Sequence, residues 1–173
     1  SSVTGVQTCA LPISVRWLPP LEASRDLVAG VLAEKTCAIE TEVFAHGRLP
    51  LAFSARCFTA RYYNLKKDSC EFRCLNHADG MVVRTREGQD FLRINGIQTQ
   101  SAACHTLWHD LADLPAVELL RISPQAAYTG EIVAAFADRL AGREAAADFA
   151  GWNPEGLVNG YWHAKAGIAK EMA

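Results

Sequence analysis

"SRDLVAGVLAEKTCAIETEVFAHG", residues 24–47, decides the fold. Ser24 stands where a helix N-cap belongs, and Leu27, Val28, Val31 and Leu32 follow at helical spacing on one face. From Cys37 to Gly47 the pattern changes to the alternation of a strand, and Gly47 closes it. Upstream, "VRWLPPLE" (15–22) reads as a short buried strand stopped by Pro19 and Pro20. Strand, helix and strand in this order predict a βαβ unit with parallel strands. The residues after Gly47 therefore leave the carboxyl edge of a parallel sheet, where the loops of such folds carry chemistry.

Working outward, "GMVVRTREGQDFLRING" (80–96) has two alternating runs about Arg86–Gln89 and predicts a β-hairpin. "SAACHTLWHDLADL" (101–114) is expected to be a helix, and "VELLRIS" (117–123) a buried strand closed by Pro124. "TGEIVAAFADRLAGRE" (129–144) is a second amphipathic helix, followed by an irregular, glycine- and aromatic-rich tail. The 173 residues suffice for one domain with a real core. Half are hydrophobic, and a net charge of -2 excludes a global basic field for nucleic acid or anionic membrane. No apolar run reaches the roughly 20 residues of a membrane span, and no signal peptide is recognisable. A cytoplasmic, reducing location is expected, with thiols free or metal-bound. Residues 1–13 are set apart: "VTGVQTCALPI" (3–13) resembles the in-frame translation of a sequencing adapter, so Cys9 is expected to be non-native. The native domain is expected to cover 14–173.

"SARCFTARYYNLKKDSCEFRCLNH", residues 54–77, carries the chemistry. Cys57, Cys70 and Cys74 stand at C-x12-C-x3-C spacing among Arg56, Arg61, Lys66, Lys67 and Arg73, whose charge favours anionic sulfur. On a helical turn, Cys70 and Cys74 would face one side. Three thiolates about one point call for zinc or an iron–sulfur cluster. Zinc could complete a Cys3His tetrahedron with His77. A four-iron four-sulfur cluster would need a fourth cysteine. Cys37 is expected on the far side of its strand, and Cys104 in a helix. Both read as small buried thiols. His105 and His109 stand four apart and could chelate a metal, although a polar helix edge explains them as well. His46 ends a strand. Glu40 and Glu42 share a strand face, as acid/base groups or as partners of arginines. Asn95, Gln98 and Gln100 could position a ligand or serve turns. No P-loop, GxGxxG or GxSxG motif is present.

Several segments together resemble the UbiV group of the collagenase-like peptidase U32 family: "IETEVFAHGRLPLAFSARCFTAR" (39–61), "NLKKDSCEFRC" (64–74), "INGIQTQS" (94–101), "LRISPQ" (120–125) and "NGYWHAKAG" (159–167). The resemblance implies the C-terminal part of a TIM-like barrel with a cysteine-containing loop and a β-hairpin, from a protein of roughly twice this length. It implies an iron–sulfur protein of oxygen-independent ubiquinone biosynthesis. Such proteins act with a UbiU-like partner, as a heterodimer, in anaerobic hydroxylation of the quinone ring precursor. By motif match Cys57, Cys70 and Cys74 would be three ligands of a 4Fe-4S cluster, the fourth lying in the N-terminal region of relatives. Val158 stands where those relatives often have cysteine. A peptidase and a zinc-stabilised interaction module are the alternatives.

Overall fold

The computed structural model describes residues 14–145 and 147–171. The adapter-like segment 1–13 lies outside the described residues. Strand β1 (Arg16–Trp17) pairs in parallel with β2 (Glu40–Gly47), Arg16 opposite Glu40, and helix α1 (Arg25–Ala33) connects them. The βαβ unit is present. Ser24 caps α1 by accepting the Leu27 N–H at 3.3 Å, and Asp26 in the first turn complements the helix dipole. Two details differ from expectation. β1 is short and only half covered: Arg16 is exposed and Trp17 half-buried, and Val15 before it is 76 % exposed. α1 buries only Val28 fully, while Leu27 and Val31 face outward, so its apolar stripe is narrower than its sequence suggests.

β2 is the centre of a five-stranded mixed sheet. It runs parallel to β8 (Leu119–Ile122), with Glu42 opposite Leu119, and antiparallel to β7 (Cys104–Thr106), with Gly47 opposite His105. β7 runs parallel to β9 (Leu157–Val158). Thr41, Glu42, Val43, Ala45 and His46 are all buried, so β2 is covered on both faces rather than alternating between core and solvent. The helix expected over 101–114 is not formed. Its middle is β7, and only Leu111–Asp113 makes a short 3-10 turn. The competing force is sheet pairing: the Leu107 N–H donates to the Ala45 carbonyl at 2.8 Å, and the Cys104 N–H to that of Gly156 at 3.0 Å. His105 and His109 therefore share no helix face, so neither the polar helix edge nor the possible i, i+4 chelate is formed.

The core lies between this sheet and the later helices. Helix α3 (Thr129–Leu140) buries Ile132, Ala135 and Phe136 against Ala45, Trp108 and Phe149, the last from the short helix α4 (Phe149–Trp152). Phe136 meets Trp108 and Phe149 edge-on at centroid distances of 5.4 and 5.7 Å, a geometry that adds about 1 kcal/mol per pair beyond area burial. A second cluster joins Val28 of α1, Val43 of β2, Leu107 and Trp162. A separate antiparallel sheet has the order β3 (Pro50–Phe53), β6 (Gln98–Ser101), β5 (Asp90–Asn95), β4 (Met81–Arg84). β4 and β5 are the expected hairpin, turned at Gly88 with φ 84°. The fold is mixed α/β, and among the described residues neither sheet closes into a barrel.

β2 passes from one sheet to the other through Gly47. Its φ is 126°, and a Cβ there would lie 2.6 Å from Cβ of Ser123, whose N–H donates to the His46 carbonyl. Gly47→Ala is expected to destabilise the protein by about 2 kcal/mol, read as a lowered urea midpoint at unchanged slope. An unchanged midpoint would show that this corner tolerates a side chain.

Candidate functional site

The cysteine-bearing segment is an excursion between β3 and β4. It is anchored at its start: the Ser54 N–H donates to the Ile97 carbonyl at 2.8 Å and the Phe58 N–H to that of Gly96 at 2.7 Å. Both acceptors lie in the turn joining β5 to β6. Cys57 is the N-cap of helix α2 (Phe58–Tyr62), and its Sγ accepts the Ala60 N–H at 3.4 Å. A 3-10 turn (Lys67–Ser69) delivers Cys70 at its end, and a second (Arg73–Asn76) carries Cys74. Between the two thiols, Glu71 and Phe72 take left-handed conformations, with φ 53° and 49°. The continuous helical turn expected to hold Cys70 and Cys74 is thus broken into two. α2 packs against β5 and against the second turn, bringing the Cys57 and Cys74 elements together.

Tyr63 joins the parts of this excursion. Its hydroxyl is 2.8 Å from Nε2 of His77, and the Arg73 guanidinium lies 5.9 Å from its ring centroid. Arg73 also makes an exposed ion pair with Glu71, a contact of little energetic weight. Cys57, Cys70 and Cys74 are half-buried free thiols. They suit soft-metal ligation: reachable, not crosslinked, and for Cys57 supplied with the N–H donor that stabilises ligating sulfur. Among the described residues no three His, Cys, Asp or Glu side chains converge on a single metal ion. His77 directs Nε2 at Tyr63, which leaves Nδ1 as its other ring nitrogen. Phe53, Tyr62, Phe72 and Leu75, from this excursion and its leading strand, are each more than 70 % exposed.

The other candidates take structural places. Cys37 precedes β2 at its amino end, with its carbonyl accepting the Ile39 N–H. Cys104 is wholly buried in β7, where burial pushes its thiol up to about 12, against the attraction of Arg48. Left unligated, it is a neutral thiol at neutral pH and lacks the thiolate a nucleophile needs. Glu40 and Glu42 both accept from Arg16, and Glu42 also from Arg121. Burial raises the Glu42 carboxyl, but its two arginines together bring it below the usual range. It is an ion-pair partner, not a general acid. Sequence reading missed Arg48, buried against Glu155, and the contact of His163 with Asp110 at 2.8 Å. Neither pair leaves a local sequence signal, because the partners lie far apart along the chain.

An α/β scaffold with a thiol-bearing excursion at the end of its central strand region is the class these features define. The sequence model of peptidase family U32 matches residues 20–106. The chain belongs to that family. No solved structure matches it. No helix among the described residues is long and apolar enough to cross a membrane.

His46 and His105 are held near pKa 4, chiefly by burial. Neither ring nitrogen of His46 has a hydrogen-bond partner among the described residues, although the Gln125 amide is close enough to favour its charged form slightly. Both histidines are neutral in the fold and take up protons on unfolding. Their contribution to stability is therefore complete above about 6.5 and is lost as pH falls toward about 4. Melting temperature is expected to fall across that interval, and His46→Leu to flatten the slope. An identical slope in the variant would contradict the neutral buried imidazole.

Proposed function

We propose that this U32 protein is a UbiV-like iron–sulfur protein of oxygen-independent ubiquinone biosynthesis. In this reading Cys57, Cys70 and Cys74 hold a 4Fe-4S cluster whose fourth ligand is not among the described residues. The supporting observation is the set of three free, half-buried thiols at C-x12-C-x3-C spacing, on one excursion whose ends are tied to the β5–β6 turn and to Tyr63. Thiolates of such a cluster bind different irons, so they need not share one coordination point. When bound, the cluster supplies one-electron transfer. The protein's own residues fix the thiols: Ala60 donates its N–H to the sulfur of Cys57, and Tyr63 keeps His77 engaged.

Residues 14–173 are then the C-terminal part of a TIM-like barrel, β1, β2 and β8 being its parallel strands. The cysteine loop lies beyond the carboxyl end of β2, the side on which barrel enzymes work. The protein works in the cytoplasm with a UbiU-like heterodimer partner, in anaerobic hydroxylation of the quinone ring precursor. Exposed Phe53, Tyr62, Phe72 and Leu75 beside the thiols supply the apolar surface such a partner covers. A peptidase reading has weaker support, because among the described residues no cysteine sulfur is hydrogen-bonded to a histidine that could serve as its base.

Anaerobically purified full-length protein is expected to contain about four irons and four acid-labile sulfides per chain. Cys57→Ala, Cys70→Ala and Cys74→Ala should each lose the visible absorption of the cluster and abolish anaerobic ubiquinone synthesis in complemented cells. Stoichiometric zinc without iron would replace this reading with the interaction module. Casein cleavage abolished by one of these substitutions would replace it with a peptidase.

A further inference from the structure

We propose that the cleft where β2 and β8 end beside β6 binds a small organic oxyanion between Arg48 and Arg121. The cleft measures about 380 Å³, and its lining includes Phe44, Arg48, Pro50, Gln98, Gln100 and Arg121. β2 and β8 run parallel, so their carboxyl ends lie together, the usual position of ligands in α/β sheets. This inference does not depend on any cluster at the cysteines.

Arg48 fixes one wall of the cleft. It is 8 % exposed, donates Nη1 to the Ala102 carbonyl at 2.6 Å and pairs Nη2 with Glu155. Its Nε has no partner among the described residues. That N–H has almost no accessible surface, so Arg48 forms a fixed wall of the cleft, and the free donors that meet an oxyanion there are the terminal nitrogens of Arg121. Arg121 commits Nε to Glu42, and its terminal nitrogens make no hydrogen bond among the described residues. Glu42 and Glu155 orient the two guanidinia without lining the cleft, so both charged groups of the lining are cations.

The remaining lining narrows the ligand. Gln98 and Gln100 share one face of β6, and the Gln100 amide donates to the Gln98 side-chain oxygen at 2.8 Å. That bond leaves the Gln98 amide as a further donor. Phe44 and Pro50 add apolar wall. Each arginine is already paired with a carboxylate, so the cleft recognises one oxyanion by hydrogen bonding rather than a polyanion by charge. A carboxylate or a phosphate on an apolar or aromatic body has the required chemistry.

Calorimetric titration of the full-length protein with benzoate, phenyl phosphate and benzyl alcohol tests this. One of the two anions is expected to bind, the neutral alcohol not, and the anion that binds identifies the head group. Arg121→Gln is expected to weaken binding about tenfold or more, and Gln100→Leu, which lies outside the ion pairs, to weaken it with an unchanged melting temperature. Arg48→Gln should abolish it. Should that variant fail to fold, the other two decide. Binding of neither anion, equal binding of the alcohol, or unchanged affinity in both Arg121→Gln and Gln100→Leu overturns the proposal.

Discussion

The buried carboxylate of Glu42 is the constraint on which the sheet depends. It lies on β2 with almost no exposure, accepts from Arg16 of β1 at 2.9 Å and pairs with Arg121 of β8. A carboxylate in such a place is tolerated only while it is paired, so the register of the three parallel strands cannot slip without stranding a charge. The arginines stay partly in water, which lowers their own desolvation cost. The pairing therefore contributes specificity of register more than net stability. Once register is set, the carboxyl ends of β2 and β8 meet, and both the cleft and the departure of β3 toward the thiols follow.

The thiol excursion is built differently. It has little core of its own: α2 is a single short helix, the later turns are 3-10, and several large apolar side chains face outward. Its order comes from hydrogen bonds to the β5–β6 turn and from Tyr63, which touches both His77 and Arg73. Such a segment can present sulfur at the surface without burying charge, which suits a cofactor shared with, or covered by, another protein surface.

Legibility in the sequence followed the range of the forces involved. The Ser24 cap, the βαβ pattern, the hairpin at Gly88 and helix α3 were readable because each depends on neighbours within a few residues. Residues 101–114 were misread because alanines and leucine at helical spacing fit a helix locally. Hydrogen bonds from Leu107 to Ala45 and from Cys104 to Gly156 overrode that preference. The candidate thiols were legible as a spacing. The two left-handed residues that break their helix, Glu71 and Phe72, were not, since neither type favours that conformation.

By itself the sequence determined the class of fold, because periodicity and capping are local properties, and the family, because its residues match the family's sequence model over 20–106; cysteine spacing marked three thiols as candidates. Only the tertiary structure decided that Glu42 is a paired strut, that His46 is buried and neutral, and that Arg48 and Arg121 line one cleft. Those outcomes depend on which distant segments exclude water from which side chain, and no linear pattern records that exclusion.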